Sequence, residues 1–144
     1  MSETGLILRT TQQIVNYFGL VAPGHGHFAD AQGRLDITGA VFRAVTGTTP
    51  NAFLDDPDTA RLLIETNTPV MTAIRWISAV LPGQPPHDDD TGIDDHIEHL
   101  AAWLDDTDPF LRRRPNTSDV IGVLGRAAQA ADTITDIPAQ RAAA

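Results

Sequence analysis

Residues 28–47 read FADAQGRLDITGAVFRAVTG, and this stretch decides the fold class of the chain. Asp30-Ala31-Gln32-Gly33 has the composition of a tight turn, with Asp at the first position and Gly at the last. Asp36 can then cap a helix, whose apolar residues recur at the spacing of one helical face until Gly47 ends it. We therefore predict a short β-hairpin near residues 27–37, followed by a helix at the centre of the core.

The rest of the chain repeats this helical periodicity in separate stretches. Apolar residues recur at i, i+3 and i+4 over residues 4–18, 56–81, 93–104 and 117–134. The stretch 56–81 contains two helix starts, each with a capping residue shortly before a proline. The predicted fold is therefore mainly α: a small helical bundle of about five to six helices with one short hairpin.

The length of the chain predicts one domain. A chain of 144 residues can bury one sizeable core but is short for two. Residues 1–136 form the predicted domain, and residues 137–144 are predicted to be a frayed tail. Within the domain, residues 48–55 are predicted to be a connection, and the Pro- and Asp-rich stretch 82–92 a mobile loop.

Composition and charge exclude several classes of function. The formal net charge is −9, so the surface repels phosphate backbones and nucleic acid is not an expected partner. No apolar stretch approaches the roughly 20 residues that a membrane span needs. The chain has no cysteine, and its N-terminus does not resemble a secretory signal. We expect a cytoplasmic protein with no membrane association.

Three patterns have some features of a metal site. His25 and His27 alternate in a glycine loop, His96 and His99 lie one helical turn apart, and residues 87–98 match part of a calcium-binding loop. The first pair lacks further ligands, and the second is typical of residues at the edge of a core. The third has His87 where the calcium loop needs Asp. We predict no metal and no cofactor.

The remaining motifs do not predict chemistry either. The two helices within 56–81 suggest a helix-turn-helix, but the second offers few polar or basic side chains for a DNA groove. Arg112-Arg113-Arg114 could bind a phosphate, although Asp105, Asp106 and Asp108 could equally neutralise it. No phosphate-binding loop or nucleophile elbow is present. The sequence predicts no catalytic residue and favours a non-enzymatic protein.

Two groups of residues are the candidates for binding. Four polar residues at the hairpin and the following helix are predicted to contact a ligand or partner: His27, Arg34, Asp36 and Arg43. Four apolar residues of one helix exceed what a single small bundle obviously needs, which suggests a homodimer interface: Val70, Met71, Trp76 and Val80.

Three segments carry a resemblance to a known family. They are Phe28–Arg34 with the following Gly39-Ala40 and Arg43-Ala44, the tryptophan-centred Leu100–Asp106, and Thr117–Val120 running into Gly125–Ala128. Together they resemble a family of short actinobacterial proteins of unknown function, over most of the chain. The resemblance implies no activity, cofactor or catalytic residue.

Three hypotheses about function therefore stand after the sequence alone. The leading one is a protein-binding or regulatory module that is not an enzyme. The second is a small enzyme or ligand-binding domain with its pocket at the hairpin, since the charges there suit a small polar ligand. The third is an acidic inhibitor that imitates DNA and docks on a basic protein.

Overall fold

A computed structural model describes residues 2–134 and confirms the predicted mainly helical fold. The predicted frayed tail, residues 137–144, lies outside the described residues. Within residues 2–134 the helices are α1 (Glu3–Phe18), α2 (Ile37–Thr46), α3 (Ala52–Asp55), α4 (Pro57–Glu65), α5 (Thr68–Val80), α6 (His96–Asp105) and α7 (Thr117–Thr133). The helix beyond the predicted five to six is α3, a single turn in the predicted connection, which carries the buried Phe53 into the core.

The predicted helix ends are confirmed for α1 and α2. Gly19 follows α1 with φ 83°, and Gly47 follows α2 with φ 76°, a region of backbone conformation that favours glycine. At its start, α2 is capped by Asp36, whose side chain accepts a hydrogen bond from the Gly39 backbone N–H at 2.7 Å. The first turn of α2 is thereby held against the preceding loop.

The centre of the core is α5 rather than α2. This helix packs against α1, α2, α4, α6 and α7, and its Val70, Ala73, Ile74 and Ile77 are fully buried. Helix α2, which was predicted at the centre of the core, packs on three helices, α1, α5 and α6, and residues 37–42 of it are buried. The nearly continuous apolar surface of α5 is explained by its five helical neighbours.

The two-stranded sheet lies at a different place from the predicted hairpin. Strands β1 (His87–Asp88) and β2 (Ile93–Asp94) pair antiparallel, so the predicted loop 82–92 contains most of a hairpin. Near residues 27–37 the predicted tight turn forms, but the pairing is confined to a single antiparallel bridge between Ala29 and Leu35. A second bridge, parallel, joins Leu35 to Leu20. Backbone hydrogen bonds hold the short segment in addition to its packing, from Asp30 N–H to the Arg34 carbonyl and from Asp36 N–H to the Phe28 carbonyl.

The sixth helix begins later than its apolar pattern suggests. Ile93 was predicted on the inner face of a helix, but it lies in β2 with 57% of its surface exposed. Asp95 caps α6 instead, by accepting a hydrogen bond from the Glu98 backbone N–H at 2.9 Å. None of the described helices combines the length and apolar character that a membrane span requires.

We expect Gly39→Ala to destabilise the protein by about 1–3 kcal/mol, because overpacking a tight contact forces the backbone to shift. A Cβ atom at position 39 would overlap the backbone carbonyl oxygen of Phe28. The matched control is Gly122→Ala in α7, where the nearest atom to the new Cβ is 3.9 Å away. That variant should gain about 0.5–1 kcal/mol from helix propensity. Urea unfolding measures both changes, and equal stability of the two variants would contradict the close approach.

Candidate functional site

Two of the four predicted site residues, Arg34 and Arg43, make contacts within the fold. Arg34 closes the turn, because its Nε donates to Asp30 Oδ2 at 2.6 Å and its backbone N–H donates to Asp30 Oδ1 at 2.9 Å. Burial alone would raise the pKa of Asp30, but these hydrogen bonds outweigh burial and lower it. Arg43 lies 4.6 Å above the ring of Phe18 and donates to Thr49 Oγ1.

The other two predicted residues, His27 and Asp36, line one cavity of about 270 Å³. We call it the His27 cavity. It lies between the loop after α1, the start of α2 and one face of α6, with Arg61 of α4 at one side. Its lining residues are Val21, His25, Gly26, His27, Phe28, Asp36, Arg61, Ile97, Glu98, Ala101, Leu104 and Asp105.

Asp36 is the most perturbed group in the wall of this cavity. Only 9% of its surface is exposed, and its Oδ1 is occupied by the Gly39 backbone N–H. Burial raises the pKa of Asp36 to about 8, and the negative charge of Asp105 adds to the rise, while the bond from Gly39 opposes it. At neutral pH the side chain is therefore a neutral carboxylic acid at the wall of an open cavity.

The two loop histidines lie side by side at the same cavity. Their ring centroids are 5.5 Å apart in an edge-to-face arrangement. His25 Nε2 donates to the backbone carbonyl of Ala29 at 3.1 Å, which leaves Nδ1 of the neutral ring as an acceptor. His27 Nδ1 is buried and has no hydrogen-bond partner among the described residues. The glycine loop therefore brings two imidazole groups to the cavity, of which the sequence predicted His27 as a binding residue.

Ion pairs and capping bonds hold the opposite wall of the cavity in place. Arg61 donates from Nη2 to Asp95 Oδ1 and from Nε to Glu65 Oε1, both at 2.7 Å, and so ties α4 to the cap of α6. Asp105 accepts a hydrogen bond from the Gly24 backbone N–H at 3.0 Å, which ties α6 to the glycine loop. Sequence reasoning missed Arg61 and Asp105, since no local pattern links them to residues 25–36.

The predicted dimer interface is divided between core and surface. Val70 is fully buried and Trp76 is 4% exposed, so both belong to the core and are not available to a partner. Met71 and Val80 are half-buried and pack against the same core. The prediction overestimated the exposed surface of this helix because it did not anticipate that five helices surround it.

The other histidine pair is a structural network. Ser78 Oγ lies 2.7 Å from His99 Nδ1 and 2.9 Å from His96 Nδ1, and His99 Nε2 lies 3.1 Å from the carbonyl oxygen of Pro82. His99 was predicted at the edge of the core but is only 5% exposed. Within residues 2–134, no three His, Asp or Glu side chains are grouped closely enough to hold a metal ion.

One arginine of the run pairs with a different carboxylate from those predicted. Arg113 pairs with Asp119 at the start of α7, whereas Asp108 accepts hydrogen bonds from Trp103 Nε1 and from two backbone N–H groups. This turn forms one wall of a larger cavity of about 510 Å³, which we call the Phe110 groove. It is lined by Val80, Leu81, Pro82, Trp103, Asp108, Phe110, Leu111, Ser118, Asp119, Gly122, Val123 and Arg126.

Comparison with known proteins places the chain in a family without assigning it an activity. A family model described as "Family of unknown function (DUF6197)" matches residues 7–130. No curated protein and no solved structure matches the chain. The match confirms the resemblance to a family of unknown function, while the actinobacterial origin stays a prediction.

We expect the wild-type protein to lose stability between pH 5 and pH 8 relative to Asp36→Asn. The folded-state pKa of Asp36, about 8, lies above its ordinary value of 3.8 in the unfolded chain, so the stability it contributes below pH 4 is lost progressively as the pH rises from 4 through 8. The limiting slope for one proton is about 1.4 kcal/mol per pH unit.

Urea unfolding at several pH values measures this difference. Asparagine keeps the cap on α2 but cannot ionise. The control is Asp56→Asn, which alters the exposed N-cap of α4. Its curve of unfolding free energy against pH should run parallel to that of the wild type. Parallel curves for wild type and Asp36→Asn would show that Asp36 does not titrate abnormally.

Proposed function

We propose that this chain, which belongs to DUF6197, a family of unknown function, binds a small polar ligand in the His27 cavity. The observation that carries the proposal is the carboxyl group of Asp36. It is nine-tenths buried, it lines an open cavity, and only one of its oxygens bonds to the protein within residues 2–134. If Asp36 were needed only as a helix cap, a solvent-exposed position would make the folded state more stable, because burying a carboxyl group costs free energy.

The surroundings of Asp36 support ligand binding. Ligand sites are concave and largely apolar, with a few polar groups that converge on one place. The His27 cavity is concave and combines both kinds of group, since Val21, Phe28, Ile97 and Leu104 line it together with imidazole and carboxyl groups. Its polar groups also have perturbed or incomplete bonding, which is typical of sites adapted to a further molecule.

A thermal-shift screen of metabolites grouped by charge tests the proposal. A ligand at 100 times its dissociation constant stabilises the folded state by about 2.7 kcal/mol, so at least one class should raise the melting temperature. The blocking variant is Ala101→Met, since Ala101 lines the cavity, and the control is Ala102→Met, one residue along α6 and also half-buried but outside the cavity.

The ligand should stabilise the wild type and Ala102→Met but not Ala101→Met. A screen in which no class of small molecule shifts the melting temperature would sink the proposal. Equal shifts for both methionine variants would place the ligand elsewhere on the protein.

The Phe110 groove favours a second candidate function, the binding of a protein partner. Phe110 is 82% exposed and Leu111 37% exposed, and both lie beside the indole of Trp103 at the edge of the groove. Exposed aromatic side chains next to an apolar concavity are typical of protein interfaces. A second copy of the chain is the partner that can be tested directly. The DNA-mimic hypothesis has only the net charge of −9 in its favour.

Sedimentation velocity over a range of concentrations tests this second candidate. The wild type should self-associate, and Phe110→Ser should shift the equilibrium to monomer by removing an apolar anchor. Tyr17→Ser is the control, since Tyr17 is a similarly exposed aromatic residue, at 78%, on α1. A wild type that stays monomeric at every concentration would exclude the homodimer.

A further inference from the structure

We propose that the ligand of the His27 cavity is a small aliphatic amine, whose ammonium group binds beside the carboxyl group of Asp36. This inference rests on the proposed function, because it names the class of ligand for the same cavity. Three observations carry it: the charges of the cavity wall, the apolar side chains between those charges, and the unshared oxygen of Asp36.

The charges around the cavity favour a cation. Glu98 and Asp105 of α6 place two carboxylates in the wall in addition to Asp36. Arg61 is the guanidinium in the wall, but its charge is already shared between Asp95 and Glu65. A protein of net charge −9 also attracts cations over a longer range. An anionic ligand would meet repulsion from the carboxylates, so we infer that the head group is positive.

The apolar part of the wall limits the rest of the ligand. Val21, Ile97, Ala101 and Leu104 provide aliphatic surface within a cavity of about 270 Å³. A short hydrocarbon chain can be buried against these side chains. Its burial contributes a favourable free energy of roughly 25 cal/mol per Å² of apolar surface removed from water. A ligand body much larger than this volume would not fit the cavity. The fitting ligand thus combines one ammonium group with a short aliphatic body.

Asp36 supplies the specific contact. Its Oδ1 accepts the hydrogen bond from Gly39, whereas Oδ2 has no hydrogen-bond partner within residues 2–134. An ammonium group beside Oδ2 favours the ionised carboxylate, because opposite charges attract strongly in a poorly solvated site. The carboxyl O–H bond breaks, its proton passes to the buffer, and the ammonium donates an N–H hydrogen bond to the carboxylate.

Proton release gives the proposal a signature that neutral ligands do not share. The pKa of Asp36 is about 8 in the protein without ligand, so about one proton should leave for each amine bound at pH 6. Amine affinity should consequently rise with pH between 5 and 8, by up to about tenfold per pH unit. The titratable and charged groups that share the cavity with Asp36 are His25, His27, Arg61, Glu98 and Asp105.

Isothermal titration calorimetry with three four-carbon probes tests the head group. The probes are n-butylammonium, butan-1-ol and butanoate, whose head groups are cationic, neutral and anionic. Two buffers of different ionisation enthalpy, both without primary amines, report the number of protons released. We expect n-butylammonium to bind most tightly, with release of about one proton at pH 6.

Variants separate the role of Asp36 from that of the cavity. Asp36→Asn should weaken n-butylammonium by about 10- to 100-fold, the usual worth of a hydrogen bond to a charged group, and should abolish proton release. The control is Asp106→Asn, an exposed carboxylate at the end of α6 that does not line the cavity. Ala101→Met blocks the cavity without altering Asp36, so it serves if Asp36→Asn does not fold.

Each outcome decides between the two proposals. Tighter binding of butan-1-ol or butanoate would overturn the amine and leave the ligand-binding proposal standing. Binding of n-butylammonium without proton release, or unchanged by Asp36→Asn and by Ala101→Met, would also overturn the amine site. If no probe binds but the thermal-shift screen finds another ligand, only the amine is wrong. If both experiments fail, the cavity is not a binding site.

Discussion

The hydrogen bond from the Gly39 backbone N–H to Asp36 Oδ1 is the contact on which both the fold and the candidate site depend. It begins α2 at a defined residue and draws the first turn of that helix against the carbonyl of Phe28. The close approach leaves no room for a side chain at position 39. The bond also places a carboxyl group where α2, the glycine loop and α6 meet, because a capping side chain must lie at the end of its helix.

Burying the carboxyl group of Asp36 costs free energy, and its role as a helix cap does not explain why it is buried. Many residues cap helices in water, as Asp56 and Asn116 do in this chain, but Asp36 is almost wholly buried. Burial shifts the balance of the carboxyl group toward its neutral form, which lowers stability as the pH rises toward 8. Such local conflicts between stability and placement are expected at functional sites. The protein thus combines an ordinary helical scaffold with one buried carboxyl group, Asp36, whose ionisation is unfavourable.

Of the four residues predicted to contact a ligand or partner, two lie at one cavity and two lie outside it. His27 and Asp36 line one cavity, as the sequence suggested, because both adjoin the same tight turn. Arg34 and Arg43 do not line it, since each finds a nearer partner within a few residues or on a neighbouring helix. Arg61, Glu98 and Asp105 could not have been predicted, because they reach the cavity only through the packing of α4 and α6 on the rest of the bundle.

The sequence by itself determined much of the local structure: three of the seven described helices begin at a predicted capping residue or end at a predicted glycine, as α1, α2 and α4 show. These features depend on neighbours in the chain, so local propensity suffices to predict them. Tertiary structure decided that α5 is central, that the paired strands lie at 87–94, and that Val70 and Trp76 are buried. It also decided the composition of the His27 cavity. Each of these depends on contacts between residues far apart in the chain. The free energy of such contacts cannot be predicted from local sequence patterns.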